Sequence, residues 1–135
     1  MPVESDAELT EILTHDTIAV VGCSNTPGKA AHDIPRYLQQ HGYRIVPVNP
    51  FADEILGEPA YDSLTEVDEQ IDIVDVFRPS EEVAGIVDEA VERDDVKVVW
   101  MQLGIRDDDA AKKAEEAGLQ VVQDRCLKVE HSRLS

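Results

Sequence analysis

The chain is 135 residues long, carries 29 acidic against 12 basic side chains for a formal net charge of -17, and is 42% hydrophobic. That length suits one domain, residues 1–135, with a real core, and is too short for a nucleotide-binding half plus a full second domain. The charge excludes nucleic acid as a partner, and apolar residues set in short periodic blocks exclude a disordered chain.

Ser5 and Glu8 form a capping-box pattern ahead of Leu9, Ile12 and Leu13, which predicts a helix within residues 1–15. Thr17 to Val21 reads as the first strand, and it breaks into Gly22-Cys-Ser-Asn-Thr-Pro-Gly-Lys29. A helix is expected from near Asp33, because Pro35 suits only a first turn, with its stop at Gly42. Tyr43 to Val48 follows as a strand whose Pro47 favours an incompletely paired edge. Asn49 to Thr65 reads as a long connection with a turn around Gly57-Glu-Pro59, and Ser63 with Glu66 precedes a short helical turn. Ile71 to Phe77 is the third strand, and Ser80 opens a helix with Val83, Ile86, Val87, Ala90 and Val91 on one face. Val96 to Met101 is the fourth strand, Asp107 to Ala117 a helix ended by Gly118, and Leu119 to Val122 the fifth strand. Residues 124–135 read as a C-terminal tail. Strands alternating with helices of this length predict an α/β, three-layer Rossmann-like fold, a five-stranded parallel sheet with helices on both faces.

In such a sheet the ligand lies outside the carboxyl ends of the strands. Those ends deliver Gly22 and Ser24, then Asn49 and Pro50, then Phe77 and Arg78, then Gln102 and Gly104. A strand ending in a glycine-containing loop with a lysine suits a phosphate ligand, through backbone N–H groups and a cation. The loop departs from the dinucleotide fingerprint: Gly22 is followed by Cys23 and Ser24, and Gly28 falls too late. Asn49 stands where an NAD site would place an acidic residue, and Arg44 lies too early in its strand for NADP. The residues point to a phosphorylated adenosine that is neither, with Lys29 and Arg78 supplying charge.

Five blocks in order resemble the small single-domain CoA-binding proteins, which are similar to the CoA-binding half of the succinyl-CoA synthetase α subunit. They are Ala19-Val-Val-Gly-Cys-Ser24 with Lys29, then Arg36-Tyr-Leu38 with Gly42 to Pro50, then Val74 to Pro79, Trp100 to Ile105, and Asp124 to His131. The resemblance implies coenzyme A or an acyl-CoA as ligand. It implies a phosphate loop over Ser24, Asn25 and on to Lys29, an adenosine end flanked by Asn49 and Pro50, and a crevice lined by Phe77, Arg78, Gln102 and Leu103. Two departures, His32 for an aromatic residue and Cys23 for an alanine, alter the surroundings of the loop.

Several features read as structure. Ser24 lacks the G-x-S-x-G elbow of a hydrolase, Trp100 reads as core, and Cys23 reads as a small packing residue. Cys126, Lys128, Glu130 and His131 suggest packing or a contact between subunits. Cys23 and Cys126 lack C-x-x-C spacing, so no metal site is expected and both are expected as free thiols. No window approaches a membrane span, and Met1 to Thr14 lacks the pattern of a secretory signal, so a cytoplasmic protein with no membrane partner is expected. The carboxylate excess suggests an acidic, halophilic-type surface. The functional expectation is a CoA or acyl-CoA binding protein without chemistry of its own, or a regulatory one read by a protein partner or a second copy. The alternative is an NAD(P)-type oxidoreductase or a subunit of an acyl-CoA ligase.

Overall fold

The computed structural model describes residues 3–134. Five strands, β1 (Thr17–Val21), β2 (Arg44–Val48), β5 (Ile73–Val76), β6 (Val98–Met101) and β7 (Gln120–Val122), form one parallel sheet in the order β2-β1-β5-β6-β7. Almost every residue of these strands is buried, as a parallel sheet covered on both faces requires. Ala19, Val21, Val74, Val76, Val99 and Met101 face one layer, with α3 (Val83–Glu92) and α4 (Asp108–Glu116) supplying Val83, Val87, Ala90, Ala110 and Ala114. Ile18, Val20, Ile73, Val98, Trp100 and Val122 face the other, with α1 (Asp6–Ile12), α2 (Ala30–Gln40) and α5 (Leu127–Leu134) supplying Leu9, Ile12, Ile34, Leu38 and Leu127. The three-layer Rossmann-like expectation therefore holds.

The N-terminal cap forms as read, with Ser5 Oγ accepting the Glu8 N–H at 3.2 Å. Pro47 lies in edge strand β2, where its carbonyl accepts the Tyr61 N–H at 3.0 Å on the side away from the sheet. Trp100 is fully buried, and its Nε1 donates to the Arg125 carbonyl at 2.8 Å.

Four local expectations change. Helix α2 starts at Ala30 rather than near Asp33, so Pro35 falls at its sixth residue. A proline there leaves the carbonyl four residues earlier without its helical donor. That carbonyl, on Ala31, accepts the Ser24 N–H at 3.0 Å, so the loop after β1 fills the vacancy. The connection after β2 contains a hairpin of β3 (Glu54–Ile55) and β4 (Glu58–Pro59), and its turn falls on Leu56 and Gly57, both at positive φ, not on Gly57 to Pro59. Successive positive φ values match the hairpin turns whose twist fits the strands. Ser80–Glu82 forms a 3-10 turn leading into α3. The tail is mostly helix, α5, which packs against α1 and α2. Buried Glu130 ties it down through Arg125 at 3.0 Å and Arg133 at 2.8 Å, and Arg133 reaches on to Asp6 of α1 at 2.8 Å.

Candidate functional site

From β1 the chain crosses through α2 to β2 on one side, and from β2 it returns past β1 to β5 on the other. The strand order reverses at the carboxyl ends of β1 and β5, the position where such sheets bind ligands. A cleft of about 330 Å³ lies there, lined by Val21, Gly22, Val48, Asn49, Pro50, Phe51, Asp62, Ser63, Leu64, Arg78, Glu82, Ile86 and Glu89. The volume lies at the lower end of the range for ligand clefts, roughly 300–1,000 Å³.

Gly22 makes the close packing possible. It sits at φ 90°, its N–H donates to the Val48 carbonyl at 3.0 Å, and a Cβ there would come within 2.8 Å of Arg78 Cδ. The stem of Arg78 thus lies directly across Gly22. Its guanidinium meets Glu82 side-on, Nε to Oε1 at 3.1 Å and Nη2 to Oε2 at 2.8 Å. The pair raises the Arg78 pKa and holds the Glu82 carboxyl below its ordinary range.

Asn49 joins the ends of β1 and β2. Its Nδ2 donates to the Cys23 carbonyl at 2.9 Å, and its Oδ1 accepts the Phe51 N–H at 2.8 Å. The second bond presents Phe51 at the rim of the cleft, 94% exposed.

The loop after Gly22 is largely self-bonded. Ser24 N–H goes to Ala31, Ser24 Oγ accepts the Thr26 N–H at 3.0 Å, Gly28 N–H donates to Asp33 Oδ1 at 3.2 Å, and Lys29 N–H donates to the Thr26 carbonyl at 3.2 Å. Asn25 Nδ2 donates to the Glu54 carbonyl at 2.9 Å, tying the loop to the β3–β4 hairpin. These bonds commit four backbone donors that a phosphate cradle would otherwise use. The Lys29 side chain, at the N-cap of α2, is exposed there.

Of the residues expected at the site, Gly22, Asn49, Pro50 and Arg78 line the cleft. Ser24, Asn25 and Lys29 lie in the adjoining loop. Phe77 is half-buried against the α1, α2 and α5 layer, and Gln102 is buried with its Oε1 accepting the Leu127 N–H at 3.0 Å. Leu103 is exposed beyond β6. None of these three lines the cleft. Phe51, Asp62, Ser63, Ile86 and Glu89 escaped the sequence reading. Ile86 and Glu89 carried a signal, their i, i+3 spacing on one face of α3.

Cys23 is fully buried below the loop, and burial first, then the nearby Asp75 carboxyl, pushes its thiol up to about 12. That suits packing, not a nucleophile. Asp75, in the middle of β5, is fully buried with neither oxygen hydrogen-bonded, and desolvation raises its pKa well above the ordinary carboxyl value. Among the described residues no cluster of three or more His, Cys, Asp or Glu side chains could hold a metal ion, and no helix is long and apolar enough to cross a membrane.

A parallel sheet with a ligand-sized cleft at its switch point, entered by a glycine-containing loop, defines a Rossmann-like ligand-binding domain. The chain belongs to the CoA binding domain family, whose model matches residues 16–132. It is 44% identical over 129 residues to the uncharacterized protein YneT of Bacillus subtilis, covering 95% of each chain. A solved structure of a hypothetical protein from Pyrococcus horikoshii matches with a TM-score of 0.94 and 39% identity, over 99% of this chain and 96% of that one. An ADP-forming acetate–CoA ligase of Methanocaldococcus jannaschii is 33% identical over 84 residues, 62% of this chain but 12% of the ligase.

Proposed function

We propose that this protein binds coenzyme A or an acyl-CoA in the strand-end cleft and performs no chemistry of its own. The observation that carries the reading is the convergence of Gly22, Asn49 and Arg78 on one cleft in a member of a CoA-binding family. Arg78 and Lys29 offer cations to phosphate. Phe51 offers an exposed aromatic face to a purine, a contact of about 1–3 kcal/mol in stacked bases. NAD is disfavoured because both amide ends of Asn49 are engaged with Cys23 and Phe51, and β2 ends without a carboxylate for a ribose hydroxyl. Native mass spectrometry of the purified protein tests the assignment. A retained or titratable CoA adduct at one per chain is expected, and an adduct with NAD but none with CoA overturns it.

A second reading follows from the ligase relative: the domain presents CoA to a separate catalytic partner. A pull-down whose partner set changes on adding CoA supports that role. The net charge of -17 further suggests a cytoplasm rich in salt, where dense carboxylates keep a surface hydrated while ions screen their repulsion.

A further inference from the structure

Among the described residues that line the cleft, Arg78 is the only cation, whereas Asp62, Glu82 and Glu89 are carboxylates. Its stem lies over Gly22, and its donors on Nε and Nη2 are taken side-on by Glu82. Both side chains are nearly half exposed, at 47% and 46%, so the pair is open to exchange. A phosphate presents the same two-oxygen geometry that the carboxylate now presents. Asp62 and Glu89 also border the cleft, but their oxygens bond elsewhere or not to Arg78: Glu89 accepts the Thr65 N–H at 3.4 Å.

We propose that Glu82 is an internal competitor for Arg78, holding the two guanidinium donors that a ligand phosphate takes over on binding. This rests on the CoA reading of the cleft and adds a residue to it. Glu82 contributes no contact to the ligand; it sets how tightly the phosphate is held and makes its release favourable. On ligand binding the guanidinium exchanges one anion for another, and the freed carboxylate turns to solvent from the exposed 3-10 turn.

The test is a double-mutant cycle on CoA affinity by calorimetry, using wild type, Glu82→Gln, Arg78→Ala and the double variant, in molar potassium chloride with the fold checked by circular dichroism. At that salt the screening length is about 3 Å, so general repulsion between the cleft and the ligand is suppressed while direct contacts persist. Glu82→Gln is expected to tighten CoA about two- to fivefold, the scale of an exposed ion pair, and to have no effect once Arg78 is alanine. Glu81→Gln removes an equal charge from the same 3-10 turn at an exposed residue that does not line the cleft, and is expected to leave affinity unchanged at this salt. A Glu82→Gln effect no larger than that of Glu81→Gln, or one that persists in the Arg78→Ala background, overturns the proposal. Absence of CoA binding by folded wild type removes the underlying reading, a result distinct from an unchanged affinity in the Glu82 variant.

Discussion

Replacing Asp75 by asparagine is expected to stabilise the protein near neutral pH, and the gain is expected to vanish in acid. The side chain is 0% exposed, and both carboxyl oxygens lack a hydrogen-bond partner. Burial raises its pKa well above the ordinary value, so the folded state holds a proton that the unfolded chain gives up. The sign follows: stability linked to this group is fully present below the unfolded pKa and is lost as pH rises toward the folded one. From an unfolded pKa near 3.9 to pH 7 is about three units at 1.36 kcal/mol each, an upper limit of about 4 kcal/mol. Asparagine keeps the shape and the cost of an unpaired polar group but carries no proton to lose. The assay is urea unfolding of both proteins in molar potassium chloride from pH 4 to pH 8. The difference between them should grow with pH by up to about 1.4 kcal/mol per unit. Asp72 and Asp95, whose pKa values are lowered by hydrogen bonds that outweigh their burial, act with the opposite sign in both proteins and cancel. A difference that is constant across this range, or a less stable variant at pH 7, would refute the assignment of a neutral buried carboxyl.

Other outcomes follow from the cleft and the surface. Lys29→Ala and Arg78→Ala should each weaken CoA by about 1.5–3 kcal/mol, the range for hydrogen bonds to charged groups, with the fold retained; calorimetry reads both. Gly22→Ala should destabilise by about 1–3 kcal/mol, as a non-glycine residue at positive φ, and also weaken CoA, because its Cβ would lie 2.8 Å from Arg78 Cδ and displace that side chain. Thermal unfolding monitored against potassium chloride should show a rising Tm, since the screening length falls to about 3 Å at 1 M for a chain of net charge -17.

The sheet was legible because its strands are short, mainly apolar runs, broken in their interior only at Asp75 of β5, a signal that needs no tertiary information. Helix α2 was misplaced because the tolerance of Pro35 depends on a partner outside the helix: the Ser24 N–H takes the Ala31 carbonyl. The hairpin hid for a similar reason, since its turn uses Leu56 at φ 55° in place of the asparagine or aspartate that advertises such turns. Helix α5 was read as tail because its buried positions include Glu130, whose burial is tolerable only through Arg125 and Arg133. At the site, Gly22, Asn49 and Arg78 could be read because they sit at strand ends, which topology brings to one edge. Gln102 sits at such an end as well, yet its side chain anchors the first turn of α5, a helix that the sequence did not announce. Phe51, Asp62 and Ser63 come from an irregular connection, where no periodicity tells which side chains face a cleft.

The most direct test of CoA recognition at this cleft is calorimetric titration of the same protein with CoA and with NAD, under salt conditions in which the fold is verified. Arg78 and Lys29 for phosphate, together with an Asn49 in place of a carboxylate and bonded to Cys23 and Phe51, predict tighter binding of CoA. Equal or tighter binding of NAD would contradict the account.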